Sequence, residues 1–180
     1  MTRRSKSPAG SAGVFRRAGV SVGMLGLVLA LMGCASGGAG GQSNEAAETA
    51  LLAIPGVIQA SVDTKSITSG LQKETSTTVK VSLDTGFSAP DPGALVDYLL
   101  QVAWSTATKE ADSSMRVQVA GDPQISVLDA LEAAGWGSRS GDPNSPERAV
   151  VEAAEVKKRF GDWPGDVPEL PAGLIVDSTP

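Results

Sequence analysis

The chain has 180 residues with 15 basic and 20 acidic side chains, a single cysteine and no histidine. Without histidine, Ser-His-Asp and Cys-His nucleophiles, histidine general bases and histidine metal sites are excluded. One cysteine cannot form a disulfide within the chain, so the fold must rely on an ordinary core. The acidic balance argues against nucleic acid as a partner. We expect neither a metal nor a cofactor.

The N-terminal stretch has the pattern of a secretory signal. Five basic residues and no acidic one precede an apolar run over residues 20–32, which is too short for a comfortable bilayer span. The run ends at Leu31-Met32-Gly33-Cys34 and contains the only cysteine. This pattern predicts export, with residues 1–33 as a cleaved signal peptide.

The four residues Leu31-Met32-Gly33-Cys34 resemble the lipobox of bacterial lipoproteins. The resemblance implies cleavage between Gly33 and Cys34 and a diacylglycerol group on the Cys34 sulfur. The Ala/Gly-rich and Arg-rich signal favours an anchor in the outer face of the cytoplasmic membrane, whereas in a cell with two membranes Ala35 after the cysteine favours transport to the outer membrane. Several acyl chains give stable anchoring, whereas one chain binds only marginally. The alternative is that Cys34 is a small apolar residue in an uncleaved anchor or a plain signal peptide.

Removal of the signal makes the remaining chain strongly acidic. It leaves 10 basic and 20 acidic residues, a formal charge of −10. The lipid, rather than charge, must then hold the protein to the membrane. Residues 34–44 contain a Gly/Ser-rich stretch, which predicts a flexible tether.

Beyond the tether, hydrophobic periodicity, capping residues and prolines predict three strands and four helices. Residues 64–76 are open to either a longer hairpin or a loop. Residues 137–145 are expected to be a loop, and the Pro-rich residues 162–180 an extended tail that docks in part. The predicted elements, in chain order, are helix 45–54, strand 57–63, strand 76–84, helix 91–108, strand 114–120, helix 126–134 and helix 146–160.

This order predicts an α+β fold for a single domain over residues 45–161. We expect a two-layer sandwich in which helices cover one face of a three-stranded, mostly antiparallel sheet. Strand order 2-1-3 would make every neighbouring pair antiparallel. Two additional helices follow the α-β-β-α-β unit. In the last of them, residues 146–160, the expected buried face includes Ala149, Val150, Ala153, Val156 and Phe160.

Residues 45–120 also resemble, in element order, the BON domain of bacterial envelope proteins. The resemblance is carried by Ile54-Pro55-Gly56-Val57 at the start of the first strand and by residues 78–83 before an amphipathic helix. It implies a non-catalytic module that binds membranes or envelope partners.

Carboxylates and tryptophans are the remaining candidates for a site. Asp91, Asp122 and Asp142 each precede a proline, which is typical of a turn or helix cap rather than of catalysis. Trp136 and Trp163 lie in Gly-rich stretches, where they either form an exposed platform for a glycan or peptide or close the end of a small core. No catalytic residue is assigned.

Three hypotheses of function follow. The first is a lipid-anchored, non-catalytic binding or scaffolding module whose partners are the membrane, through Cys34, and an envelope protein or glycan. The second is a hydrolase of cell-wall glycan that uses two carboxylates about 5–10 Å apart. The third, a small-ligand receptor, requires a pocket of several hundred Å³ lined by tryptophans such as Trp104.

Overall fold

The computed structural model describes residues 41–178. They form four helices and seven strands, in a mixed α/β arrangement with one five-stranded and one two-stranded sheet. Within these residues no helix is long and apolar enough to cross a membrane. The elements are α1 (Asn44–Leu52), β1 (Val57–Ser69), β2 (Gln72–Leu83), β3 (Phe87–Ser88), α2 (Pro92–Trp104), β4 (Ser114–Ala120), α3 (Val127–Ala133), β5 (Arg139–Ser140), β6 (Arg148–Glu152), α4 (Ala153–Phe160) and β7 (Val176–Asp177).

The predicted helix starts are confirmed by their capping bonds. Ser43, Asp91 and Ser126 each accept a hydrogen bond from a backbone N–H in the first turn of α1, α2 and α3. Pro92 follows the cap of α2 at the position where its missing N–H costs nothing. Local chemistry therefore sets these boundaries.

The predicted strand order 2-1-3 is wrong. The large sheet has the order β1-β2-β4-β6-β5, and β4 runs parallel to β2 while the other pairs are antiparallel. Helix α1 lies along β1, where the Glu48 carboxylate accepts a hydrogen bond from the Val62 N–H at 2.8 Å. Because α1 occupies that edge, the crossover through α2 brings β4 to the free edge of β2. Two strands joined by a crossover of this kind are parallel.

The predicted helix over residues 146–160 is also wrong in its first half. Residues Arg148–Glu152 form strand β6, and the helix begins only at Ala153. Val151 is fully buried and Val150 faces the other side of the sheet, which is the alternation of a strand. Pairing with β4 and with the two-residue strand β5, inside the expected loop, satisfies the backbone of this segment.

Residues 64–76, left open between loop and hairpin, form the long end of the β1–β2 hairpin. Pairing continues without interruption to Ser69 and Gln72 around a two-residue turn. Hydroxyl groups bond across the hairpin, Thr64 to Thr77 at 3.0 Å and Ser66 to Thr75 at 3.1 Å. Thr75 and Thr77 are buried, so these paired hydroxyl groups continue the buried side of the sheet beyond its aliphatic part.

One face of the large sheet is buried and the other is open. The buried face presents aliphatic side chains to α2, α3 and α4, which contact strands β2, β4 and β6. Part of the C-terminal tail docks as well: Leu174 is buried and β7 pairs with β3. The fully or nearly fully buried aliphatic residues of the three central strands are Val79, Val81, Met115, Val117, Val119 and Val151.

Candidate functional site

The residues that carry the lipobox resemblance, Gly33 and Cys34 included, lie outside the described residues. Lipidation of Cys34 is therefore a proposal that rests on the sequence. The described chain begins at Gly41, and its first contacts hold it to the domain: Gln42 donates a backbone hydrogen bond to Ser105 at 2.9 Å and accepts one from Ala107 at 2.8 Å.

Trp136 is not an exposed platform. Its side chain is 2 % exposed, and its indole N–H donates to Asp97 Oδ1 at 2.6 Å. The Arg159 guanidinium lies over the ring, 4.6 Å from its centroid, and Phe160 packs edge-on at 5.8 Å between centroids. Both surfaces that a ligand could use are occupied by the protein itself. This is the geometry of a residue that closes the end of a core.

Trp163 is half-buried and packs against the core. Its indole N–H donates to the Thr106 carbonyl at 2.9 Å, while the buried Trp104 donates to the Gly161 carbonyl at 3.2 Å. These two bonds attach the beginning of the tail to the end of α2. The tryptophans predicted as candidates thus do not converge on a common site.

The acidic candidates are also used locally. Asp91 caps α2, and Asp142 Oδ1 accepts hydrogen bonds from both the backbone and the side-chain amide of Asn144. Within residues 41–178 no group of three or more His, Cys, Asp or Glu side chains is placed to hold a metal ion. Turn formation accounts for Asp142 as it does for the capping Asp91.

The open face of the large sheet is the feature that the sequence analysis missed. Strand register places Lys80, Gln118 and Arg148 side by side on β2, β4 and β6. Arg116 lies two residues along β4 in the next row, between Thr78 and Val150. Neighbouring strands are about 4.8 Å apart, so the Cα atoms of Lys80 and Arg148 are separated by about 10 Å.

These side chains line a groove of about 600 Å³. More of its lining surface is apolar than polar, and the polar part comes from cationic, amide, hydroxyl and carboxylate groups. Asp63 and Asp142 stand at its margins. The lining residues are Ser61, Asp63, Lys65, Thr78, Lys80, Arg116, Val117, Gln118, Gly141, Asp142, Arg148, Ala149 and Val150.

Three of the four cations that line this groove lack a carboxylate partner within the described residues, whereas the fourth, Lys65, pairs with Asp63. Among residues 41–178, Lys80, Arg116 and Arg148 have no carboxylate oxygen within 4.0 Å of their charged groups, and the Arg148 guanidinium donates to the Ser145 hydroxyl. By contrast, Lys157 pairs with Glu110, whose hydrogen bond and charge raise the Lys157 pKa above its usual value. The cations that do pair with carboxylates are Lys65, Arg139, Lys157, Lys158 and Arg159.

This arrangement can bind an anion. Two guanidinium groups and one ammonium group surround the Gln118 amide on a rigid sheet, and arginine favours the planar, two-point binding of phosphate or carboxylate. Lys80 and Arg116 are exposed and alternate with buried residues of β2 and β4, so both point away from the core. Only the strand register shows that they meet with Arg148.

Comparison with known proteins found no match: no family model matches the chain, and no curated protein and no solved structure matches it significantly.

Proposed function

We propose that this protein is a lipid-anchored, extracytoplasmic and non-catalytic binding module whose open sheet face binds an anionic glycan of the cell envelope. The observation that carries the proposal is the set of cations Lys80, Arg116 and Arg148, which have no carboxylate partner within residues 41–178. Beyond Cys34 the chain has twice as many acidic as basic residues. Three neighbouring cations without acidic partners are therefore best explained by an external anion.

The shape and chemistry of the groove favour a glycan over a folded protein. Protein interfaces usually have a desolvated centre with aromatic or large aliphatic side chains. The described residues that line this face include no aromatic or large aliphatic side chain, and their apolar members are Val117, Ala149 and Val150. The hydroxyl, amide and cationic groups of the face suit a flexible polymer that carries phosphate or carboxylate groups along a hydroxyl-rich backbone, bound through charge and hydrogen bonds.

The lipobox resemblance supports the location. A lipid on Cys34 would hold the domain at the membrane surface, and the tether would give it reach toward the polymers of the envelope. Apart from the two-residue strand β3, the order α1, β1, β2, α2, β4 along the chain is the element order on which the resemblance to the BON domain rests. Fold analogy alone carries no function.

The anchor is tested by the intact mass of the protein purified from its native membrane. We expect the mass of residues 34–180 plus a diacylglycerol group, and the loss of this modification in Cys34→Ala. An unmodified or full-length mass would refute the anchor and leave the binding face to be tested separately.

The binding face is tested with poly(glycerol phosphate) as the anionic probe and dextran as the uncharged control. We expect binding of the first probe only, weakened by salt because the interaction is between exposed charges. The double variant Lys80→Gln/Arg116→Gln should lose most of this binding. The matched control Lys73→Gln/Lys158→Gln removes the same charge away from the groove and should retain it. Equal loss in both variants would mean that net charge alone is responsible.

The second candidate is the carboxylate-based hydrolase, because Asp63 and Asp142 line the same groove. Against it, Asp63 is ion-paired with Lys65 at 2.8 Å and Asp142 holds the Asn144 turn. Incubation with purified cell-wall glycan distinguishes the two functions. Release of reducing ends that disappears in both Asp63→Asn and Asp142→Asn would favour the hydrolase.

A further inference from the structure

The far end of the β1–β2 hairpin, residues 67–73, carries two exposed aliphatic side chains. Ile67 is 66 % exposed and Leu71 is fully exposed. Among the described residues no third strand pairs with the hairpin between Ser76 and its turn: the pairing of β2 with β4 begins at Ser76, and the loop before β4 bonds to β2 at Thr75. Gly70, at the turn with φ 63°, has no atom within 4 Å of the position that a Cβ would occupy. Residues 67–73, the hairpin tip, thus project beyond the body of the domain.

The start of the described chain lies at the same end of the domain as the hairpin. Gln42 is bonded to Ser105 and Ala107, and the Asn44 side chain accepts a hydrogen bond from Thr108 at 2.8 Å. The next residue along, Lys109, donates to the Ser66 hydroxyl at 2.8 Å and the Thr75 hydroxyl at 2.6 Å. One short segment therefore links the tether to the base of the hairpin tip.

The distance by which the hairpin tip extends beyond the start of α1 follows from the lengths of α1 and β1. Helix α1 runs antiparallel to β1, with Glu48 opposite Val62. Going back from Glu48 to Ser43 covers about 8 Å at 1.5 Å per helical residue. Going forward from Val62 to Gly70 covers about 26 Å at 3.3 Å per strand residue. The tip therefore extends about 18 Å beyond the level at which α1 begins.

The tether can span this distance. Six residues separate Cys34 from Gly41, and the seven Cα-to-Cα steps between them reach about 25 Å when fully extended. A lipid on Cys34 and the side chain of Leu71 can therefore meet the same bilayer surface. Since the hairpin tip extends about 18 Å beyond the start of α1, it reaches the bilayer surface before the rest of the hairpin does.

We propose that the hairpin tip inserts shallowly into the outer leaflet of the bilayer that holds the Cys34 lipid. The inference rests on the proposed anchor. Burial of two aliphatic side chains stabilises a membrane contact only weakly, so Ile67 and Leu71 bind effectively only when the anchor makes the contact intramolecular. Lys65, two residues before the tip, and Lys73, the last residue of the tip, then lie at headgroup level. The strands of the large sheet then stand across the membrane plane rather than along it. The cationic face is directed into the envelope and not toward the bilayer.

A bilayer fits this patch better than a protein does. Two aliphatic side chains on a narrow turn offer far less than the roughly 800 Å² per partner of a stable protein interface. Insertion must stay shallow, because unpaired backbone groups on the outer edge of β1 are costly in hydrocarbon. These limits match two apolar residues at the extreme end of a polar hairpin.

The test uses the full-length lipoprotein with Leu71→Cys, in which lipidation of Cys34 leaves residue 71 as the only thiol. It is labelled with a polarity-sensitive fluorophore and reconstituted in phosphatidylglycerol/phosphatidylcholine vesicles. Leu170→Cys, in the exposed tail, serves as the control position. We expect a blue shift at residue 71, and quenching by spin-labelled lipids, with neither effect at residue 170.

The outcomes separate this inference from the anchor. Vesicle-bound, lipidated protein with a water-like spectrum at residue 71 would overturn the insertion while the anchor stands. A protein without the lipid mass would refute the anchor itself. A blue shift that appears in detergent and grows with protein concentration would instead assign the tip to contact between copies, and would also overturn the inference.

Discussion

The guanidinium group of Arg159 lies over the Trp136 ring, 4.6 Å from its centroid, and the two side chains share the carboxylate of Asp97. Arg159 also donates to the Ala134 carbonyl at the end of α3. One residue of α4 therefore holds α2, α3 and the following turn together. The cluster closes the helical layer on the side away from the cationic groove.

Arg159→Ala should lower the free energy of unfolding by about 1–3 kcal/mol, because it removes hydrogen bonds to a carboxylate and a cation–π contact. Arg159→Lys should recover little of this, since an ammonium group cannot reproduce the planar, two-donor geometry. Urea unfolding followed by tryptophan fluorescence measures both values. Lys158→Ala, whose side chain is 80 % exposed, is the control and should be nearly neutral. Equal effects at residues 158 and 159 would contradict the assigned role of the cluster.

The strand assignment of residues 148–152 is tested by a pair of adjacent valines. Val151 is buried against the helices, whereas Val150 lies on the open face. Val151→Thr should cost about 1–3 kcal/mol because it buries a hydroxyl group, and Val150→Thr should be nearly neutral. A helix over residues 146–160 would reverse the two results, since its buried face would contain Val150. Urea denaturation of the two variants therefore distinguishes strand from helix.

Because β3 packs closely against the turn before β1, we expect substitution of Gly56 to destabilise the fold strongly. This glycine has φ 86°, and a Cβ there would lie 2.4 Å from ring carbons of Phe87. Gly56→Ala should therefore combine backbone strain with a steric clash and cost more than about 2 kcal/mol. Gly70 also has a positive φ, 63°, but no atom lies near its Cβ position. Gly70→Ala should therefore lower the free energy of unfolding by only about 1 kcal/mol, through backbone strain alone. Similar midpoints for the two variants in thermal unfolding would show that Phe87 moves aside.

Alkaline pH should destabilise the domain through Tyr98. Burial raises the pKa of this side chain above its ordinary value of about 10. Below that pH Tyr98 is protonated in both the folded and the unfolded chain, so its ionisation adds no pH dependence to the free energy of unfolding. Between the unfolded-state pKa and the raised folded-state pKa only the unfolded chain releases it, so stability falls as pH rises.

The chain has a single tyrosine, so the ultraviolet absorbance of tyrosinate reports this titration directly. We expect its midpoint to lie above that of the urea-unfolded protein. Tyr98→Phe should remove the corresponding part of the alkaline loss of stability. Identical midpoints in folded and unfolded protein would contradict the burial effect.

The sequence by itself determined the elements whose signals are local. Side chains such as Ser43 and Asp91 cap helices through their own backbone neighbours, and alternation marks residues 114–120 as a strand whatever lies beside it. The lipobox resemblance is equally local, and it remains a prediction.

Tertiary structure alone decided the rest. Residues 148–152 carry apolar side chains at spacings that fit a helix as well as a strand, and pairing with β4 and β5 selected the strand. The edge to which β4 attaches depended on α1 already lying along β1, a contact between distant residues. The cationic groove depends on the register of three strands, since Lys80, Arg116 and Arg148 are far apart in the chain. Such contacts leave no local pattern, because their energies arise only when the strands are side by side.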